Sequence, residues 1–213
     1  MNDCDAKVFS EVKSKGSAFR VKLDAANQNS IQKTHILFGA TGSGKTTLLH
    51  LLNEDQLIVQ DGDRGPILKI RDNSIIPGII GHSVNSETSE PNLYYNQRTR
   101  ILYIDCPGQE DTHGWGQDLA NAFYCLNVFS LCRSKILLYI VSEYEIQSRA
   151  VGFRNSLKQL LRLFENHTEE LKNNCYLIFT MKIYIQDFSL AIKDINLDPI
   201  CMEFLTLSLP IIE

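Results

Sequence analysis

The sequence predicts an α/β fold, with three layers built around a mostly parallel central sheet. Three observations carry this expectation. Apolar runs of strand length alternate with stretches of helical periodicity along most of the chain. Several runs, such as Lys135 to Val141, are almost continuously apolar, as strands covered on both faces must be. The glycine-rich stretch Gly39-Ala40-Thr41-Gly42-Ser43-Gly44-Lys45-Thr46 lies between the strand-like run Ile36-Leu37-Phe38 and a run of mostly good helix formers, Thr47 to Leu52. It is a strand–turn–helix unit of the kind that starts such a fold.

The elements follow in order. Residues 1–30 read as an N-terminal extension with a weak pattern. Val8, Phe9 and Val12 could begin a helix, Phe19, Val21 and Leu23 alternate as a strand would, and Ala26 to Ser30 resembles a linker. A frayed terminus is the expectation there. Residues 31–213 form the main domain. Lys33 to Phe38 is its first core strand, and the helix after the glycine-rich turn ends near Asn53. Leu57 to Gln60 and Ile67 to Ile70 flank a turn signal and predict a β-hairpin. Asn73 to Pro91 is a long polar loop of a length that is often functional. Arg100 to Asp105 is a strand ending on a carboxylate. Leu119, Ala122, Phe123, Leu126 and Phe129 mark an amphipathic helix, and Lys135 to Val141 a buried strand. Phe153, Leu157, Leu160, Leu161 and Phe164 mark another helix, whose solvated face carries Arg154, Lys158 and Arg162. Cys175 to Thr180 is a further strand, Asp187 to Ile195 a short helix and Phe204 to Leu209 a last strand.

Composition bounds the functions open to the chain. With 213 residues it can bury a full core. Its net charge of −4 gives no general attraction for nucleic acid. Six scattered cysteines, at positions 4, 106, 125, 132, 175 and 201, form no C-x-x-C pair and read as reduced thiols. The polar N-terminus does not read as a signal sequence, and the longest apolar runs are too short to span a bilayer. A cytoplasmic protein without a transmembrane segment is expected.

Gly39 to Thr46 satisfies every fixed position of the P-loop pattern G-x-x-x-x-G-K-[ST]. The chemistry follows from the arrangement. Backbone N–H groups of the loop and the start of the next helix point at phosphate. Gly39, Ala40, Thr41, Gly42, Ser43, Gly44, Lys45, Thr46 and Thr47 would line a nucleoside triphosphate. Lys45 would neutralise the β- and γ-phosphates, and the Thr46 hydroxyl would bind Mg²⁺. The fold expected is therefore that of a P-loop NTPase. Asp105-Cys106-Pro107-Gly108 adds a second element. A carboxylate at a strand end can hold the metal, and Gly108 offers a backbone N–H to a γ-phosphate. The two together make a γ-phosphate sensor.

On these residues the chain resembles the translation-factor-like class of P-loop GTPases over roughly Lys33 to Thr180. Within it, the loop from Gly81 to Ser89 makes the chain most similar to the septin and GIMAP-type branch. The resemblance implies that a loop hydroxyl closes over Mg²⁺. Thr88, 17 residues before Asp105, is the first choice, with Ser83 and Ser86 as rivals. It implies that Gln109 orients the attacking water, with His113 as the alternative. It also calls for an [NT]-K-x-D base reader after the penultimate strand. Here that place reads Thr180-Met181-Lys182-Ile183, so only Thr180 fits, and Asp187 is the next carboxylate. The last motif of the class has no clear match beyond Ser208, which leaves room for a domain incomplete at its C-terminus.

The resulting expectation is a guanine-nucleotide-binding protein with GTP or GDP as bound nucleotide and Mg²⁺ as cofactor. Slow hydrolysis, catalysed with Lys45 and Gln109, would serve a switch or a self-assembling GTPase. The metal ligands would be Thr46, Thr88 and Asp105, and Gly108 would join the nucleotide site. A second copy of the chain or a regulatory protein is the expected partner. A pseudo-GTPase interaction module and an ATP-using P-loop enzyme are the alternatives.

Overall fold

The computed structural model describes residues 3–27, 31–62, 65–71, 76, 80, 88, 90–108, 115–132, 134–147, 151–180 and 211–212. The chain opens with helix α1 (Asp3–Asn27), then runs through β1 (Lys33–Gly39), α2 (Lys45–Leu52), β2 (Leu57–Gly62), β3 (Gly65–Ile70), β4 (Asn92–Asn96) and β5 (Ile101–Asp105). It continues with α3 (Trp115–Leu131), β6 (Lys135–Ser142), α4 (Glu143–Gln147), α5 (Val151–Leu163), a 3₁₀ turn (Glu165–His167), α6 (Thr168–Asn174), β7 (Cys175–Thr180) and β8 (Ile211–Ile212). Six strands form one sheet in the order β4-β5-β1-β6-β7-β8. β4 is antiparallel to β5, and every other pairing is parallel. The fold is thus mixed α/β with a mostly parallel central sheet.

Alternation along the strands sorts the core into two layers. Ile36, Phe38, Leu102, Ile104, Leu137, Tyr139, Val141 and Leu177 face one side. There they meet Tyr124, Val128 and Phe129 of α3, Phe153, Leu157 and Leu160 of α5, and Leu171 of α6. Leu37, Tyr103, Leu138 and Ile140 face the other side, against Leu49 of α2 and Ile76. Each such apolar side chain stabilises the fold by about 1.5–3 kcal/mol when fully buried. The far end of the first layer is tied by Lys135. Its ammonium lies 2.9 Å from Glu170 Oε1 and 4.2 Å from the centre of the Phe129 ring.

The expected strands at 33–38, 100–105, 135–141 and 175–180 are all present, as is the hairpin, in which β2 and β3 make a separate antiparallel two-stranded sheet. The expected helices after the P-loop and at 119–129 and 153–164 are α2, α3 and α5. The helix expected at Val8, Phe9 and Val12 is present within α1, but the rest of the N-terminal expectation is overturned. Phe19, Val21 and Leu23 lie in helix α1 and form no strand, and Ala26 continues that helix rather than starting a linker. Among the side chains described in it, the buried positions are Val12, Gly16, Phe19 and Leu23, a helical spacing, while Val21 is exposed. The helix packs on α3: the rings of Phe19 and Tyr124 meet edge to face with centroids 5.5 Å apart. A frayed terminus does not bury side chains in this way. β4, α4, α6 and β8 are additions to the expected elements. The expected helix at 187–195 and strand at 204–209 lie outside the described residues. Among the described residues, no helix is long and apolar enough to cross a membrane.

Parallel pairing brings the carboxyl ends of β1, β5, β6 and β7 to one edge of the sheet. Leu37 is level with Asp105, Gly39 with Ile140, and Ser142 with Thr180. The chain builds outward from β1 in one direction through β5 and then in the other through β6. This reversal of strand order creates a crevice at the carboxyl edge, where open α/β sheets bind ligands.

Candidate phosphate and metal site

The P-loop leaves β1 at this crevice and enters α2. Gly44 caps the helix with φ +91°, a left-handed conformation that side chains with a Cβ rarely adopt. This turn lets the amide of Leu48 reach the Gly44 carbonyl at 2.9 Å and start the helix. Lys45 lies in the first turn of α2, 6% exposed. Its ammonium donates to the carbonyls of Gly39 at 3.1 Å and Ala40 at 2.8 Å. Burial lowers its pKa, and the negative charge of Asp105 chiefly opposes that shift.

Thr46 and Asp105 come together from different elements. The Thr46 hydroxyl donates to Asp105 Oδ2 at 2.7 Å. Asp105 is fully buried; the Asn92 side chain of β4 also favours its carboxylate, and Oδ1 has no donor at normal hydrogen-bond geometry among the described residues. Burial pushes the carboxyl above the usual aspartate range, while Lys45 and the Thr46 hydrogen bond pull it back. A buried carboxylate oxygen without a donor is costly unless a cation or water completes it. A hydroxyl and a carboxylate side by side, next to a phosphate cradle, suit Mg²⁺, which takes one or two protein oxygens and otherwise water and phosphate. The donor set therefore fits the metal. Thr88 is half-buried, and its part in that set is a proposal.

Gly108 closes the crevice from the β5 side. A Cβ placed on it would lie 2.3 Å from Thr41 Oγ1 and 2.7 Å from Thr41 N, so glycine is required where this segment touches the P-loop. The carbonyl of Gly108 accepts a hydrogen bond from Asn121 Nδ2 at 3.1 Å. On the other side, the Thr180 hydroxyl at the end of β7 donates to the Ser43 carbonyl at 2.5 Å. Glu145 also serves the loop's surroundings. It accepts from Ser142 N at 2.8 Å and Ser142 Oγ at 3.0 Å, and its charge favours the ammonium form of Lys45. Deeper along α2, the fully buried His50 ring places its Nδ1 2.6 Å from Asp55 Oδ2.

The structure thus brings together Gly39 to Thr46, Asp105, Gly108 and Thr180, with Thr47 following Thr46 in α2. Gln109, His113, Ser83, Ser86, Met181 to Ile183, Asp187 and Ser208 lie outside the described residues. Sequence reasoning missed Asn121 and Glu145 as participants. Asn121 is a polar residue that the helical pattern places beside an apolar stripe, and nothing in that pattern says it is 3% exposed.

No family model matches the chain, and no curated protein does. Among solved structures, Toc33 from Arabidopsis thaliana, in a dimerization-deficient mutant, shares 15% identity at a TM-score of 0.52, over 93% of this chain and 77% of that one. Nucleolar GTP-binding protein 1 from Plasmodium falciparum shares 17% identity at a TM-score of 0.37, over 86% and 76%. The cytosolic domain of the T. maritima FeoB iron transporter shares 15% at 0.36, over 75% and 51%. The last two likenesses are too loose to carry an argument, and the first speaks to fold alone. With its P-loop at the head of a mostly parallel sheet, the chain has a three-layer P-loop NTPase fold, and Toc33 shares that architecture.

Proposed function

We propose that the chain is a guanine-nucleotide-binding protein with slow, Mg²⁺-dependent GTP hydrolysis, acting as a switch or as a self-assembling GTPase. The observation that supports it most is the bond between Thr46 of the P-loop and the buried Asp105 of β5, beside Lys45. In this reading the backbone of Gly39 to Thr47 and the Lys45 ammonium take the phosphates. Thr46, Asp105 and Thr88 hold the metal, which when bound neutralises charge on the phosphate oxygens. The Gly108 N–H meets the γ-phosphate, and Gln109 orients water. Phosphoryl transfer needs positioning and charge neutralisation more than a protein nucleophile, so this set is chemically sufficient.

The septin and GIMAP-type branch rests on the loop from Gly81 to Ser89. A second copy of the chain is the partner we favour, since the matched Toc33 is a variant made deficient in dimerization. A cytoplasmic location goes with this reading. One observation favours a second reading, a pseudo-GTPase interaction module: Met181 and Ile183 stand where the class carries its base-reading lysine and aspartate. Turnover of GTP and ATP, measured side by side with and without Mg²⁺, separates the two. Mg²⁺-dependent release of phosphate from GTP supports the first. Binding without turnover supports the second.

A further inference from the structure

We propose that Asn121 of α3 is a positioning residue that sets the protein's preference between nucleoside tri- and diphosphate, by latching Gly108 onto the P-loop. The proposal rests on the reading of the crevice as a nucleotide site.

Three observations build the latch. First, Gly108 lies so close to Thr41 that not even a methyl group fits between them, with 2.3 Å to Thr41 Oγ1 and 2.6 Å to Thr41 Cα from a Cβ placed there. A terminal phosphoryl group that bonds both the P-loop and the Gly108 N–H therefore needs Gly108 to back away. Second, the Gly108 carbonyl is tied to Asn121 Nδ2 at 3.1 Å, and this bond holds the peptide in its present place. Third, the Asn121 side chain is itself oriented. Its Oδ1 accepts from Gln117 Nε2 at 2.8 Å, one turn earlier on α3, and the side chain is 3% exposed. The helix that carries both residues is held by α1 through Phe19 and Tyr124. The Asn121 amide is thus fixed before any ligand arrives, and its bond is made in the arrangement where Gly108 touches Thr41. A ligand that must separate the two works against that bond, and one that stops at the β-phosphate does not. Preference shifts by the differential interaction of the two arrangements and by nothing else.

The test is equilibrium binding of GDP and of a non-hydrolysable GTP analogue, both with Mg²⁺, to the full chain. Asn121→Asp keeps the acceptor for Gln117 and removes the donor to Gly108. It should leave the GDP affinity within about twofold and raise the ratio of analogue to GDP affinity by about fivefold to tenfold, the worth of one buried hydrogen bond. Gln117→Ala leaves the donor in place but unsteadied and should raise the ratio less, by about twofold. It also serves as the reporter if Asn121→Asp does not unfold cooperatively. Loss of packing alone would weaken both ligands together and leave the ratio unmoved. An unchanged or lowered ratio in both variants, with both nucleotides still bound, overturns the latch while sparing the nucleotide reading. Wild-type protein that binds neither nucleotide overturns both.

Discussion

The two flanks of β1 are unequally equipped. On the β5 side stand Asp105, bonded to Thr46, and Gly108, seated on Thr41. These groups lie beside the Lys45 ammonium, where the proposed function puts phosphate and metal. On the β7 side the described contribution is Thr180, whose hydroxyl ties the Ser43 carbonyl. In the sequence that follows it, Met181 and Ile183 stand where an [NT]-K-x-D reader has lysine and aspartate, and Lys182 comes one residue late. The difference separates two demands that coincide at one sheet edge. Holding the loop in shape is a structural need, met by any hydroxyl that reaches its carbonyl. Reading the base is a chemical need, met only by a carboxylate at the right place. The first is kept on the β7 side where the second is reduced.

Breaking the β5 side should have the largest effect. Lys45→Ala removes the ammonium that the P-loop carries into the phosphate cradle, and triphosphate binding should fall below detection in a calorimetric titration. A folded variant that binds GTP with Mg²⁺ as wild type does would defeat the assignment. Asp105→Asn should weaken Mg²⁺-dependent GTP binding by about two orders of magnitude, since it removes the charged half of the metal pair.

The same Asp105→Asn change should stabilise the protein in metal-free buffer without nucleotide. Burial raises the Asp105 pKa above its ordinary value of 3.8. The folded protein therefore holds this proton at pH values where the unfolded chain has released it, and stability falls as pH rises through that window. The variant is spared this loss. Its melting temperature at neutral pH should exceed that of wild type, and the gap should close as pH falls toward 3.8. A gap of the opposite sign would show that the Thr46 bond and the Lys45 charge outweigh desolvation.

The β7 side should yield the smallest change. Thr180→Val removes the tie to Ser43 and should cost about 1 kcal/mol of stability, with nucleotide affinity down severalfold. Thr180→Ser should restore most of both. If Thr180→Val matched Lys45→Ala in severity, the division between the two flanks would be wrong.

The contrast was partly legible in the sequence, because its phosphate side depends on contiguous residues. Glycines, a lysine and a threonine at fixed spacing have one common use, and a carboxylate at the end of an apolar strand adds a second fixed point. Central strands were legible for a related reason: a continuous apolar run of strand length must be covered on both faces, and a central parallel strand meets that need. What stayed hidden depends on tertiary contact. Phe19, Val21 and Leu23 match a period of two over three residues, and only the packing on α3 shows that the longer set with Val12 and Gly16 governs. α6 reads Thr-Glu-Glu-Leu-Lys-Asn-Asn, and its one buried side chain, Leu171, is too little for a periodic signal. Asn121 belongs to a polar class that is usually solvated, and its burial follows from the approach of Gly108, which lies far from it along the chain.

The central claim is that a working phosphate and metal side is joined to a reduced base reader. Competition binding of GTP and ATP in the presence of Mg²⁺ tests it most directly. A full hydrogen-bonded reader can discriminate by about 10⁴-fold, because the wrong base leaves buried polar groups unpaired. Ile183 offers no such groups, so GTP should win by only about tenfold to a hundredfold, with both nucleotides dependent on Mg²⁺. Strong selectivity for GTP that disappears in Asp187→Ala would contradict the account by showing a rebuilt base reader, and no Mg²⁺-dependent binding of either nucleotide would contradict its phosphate half.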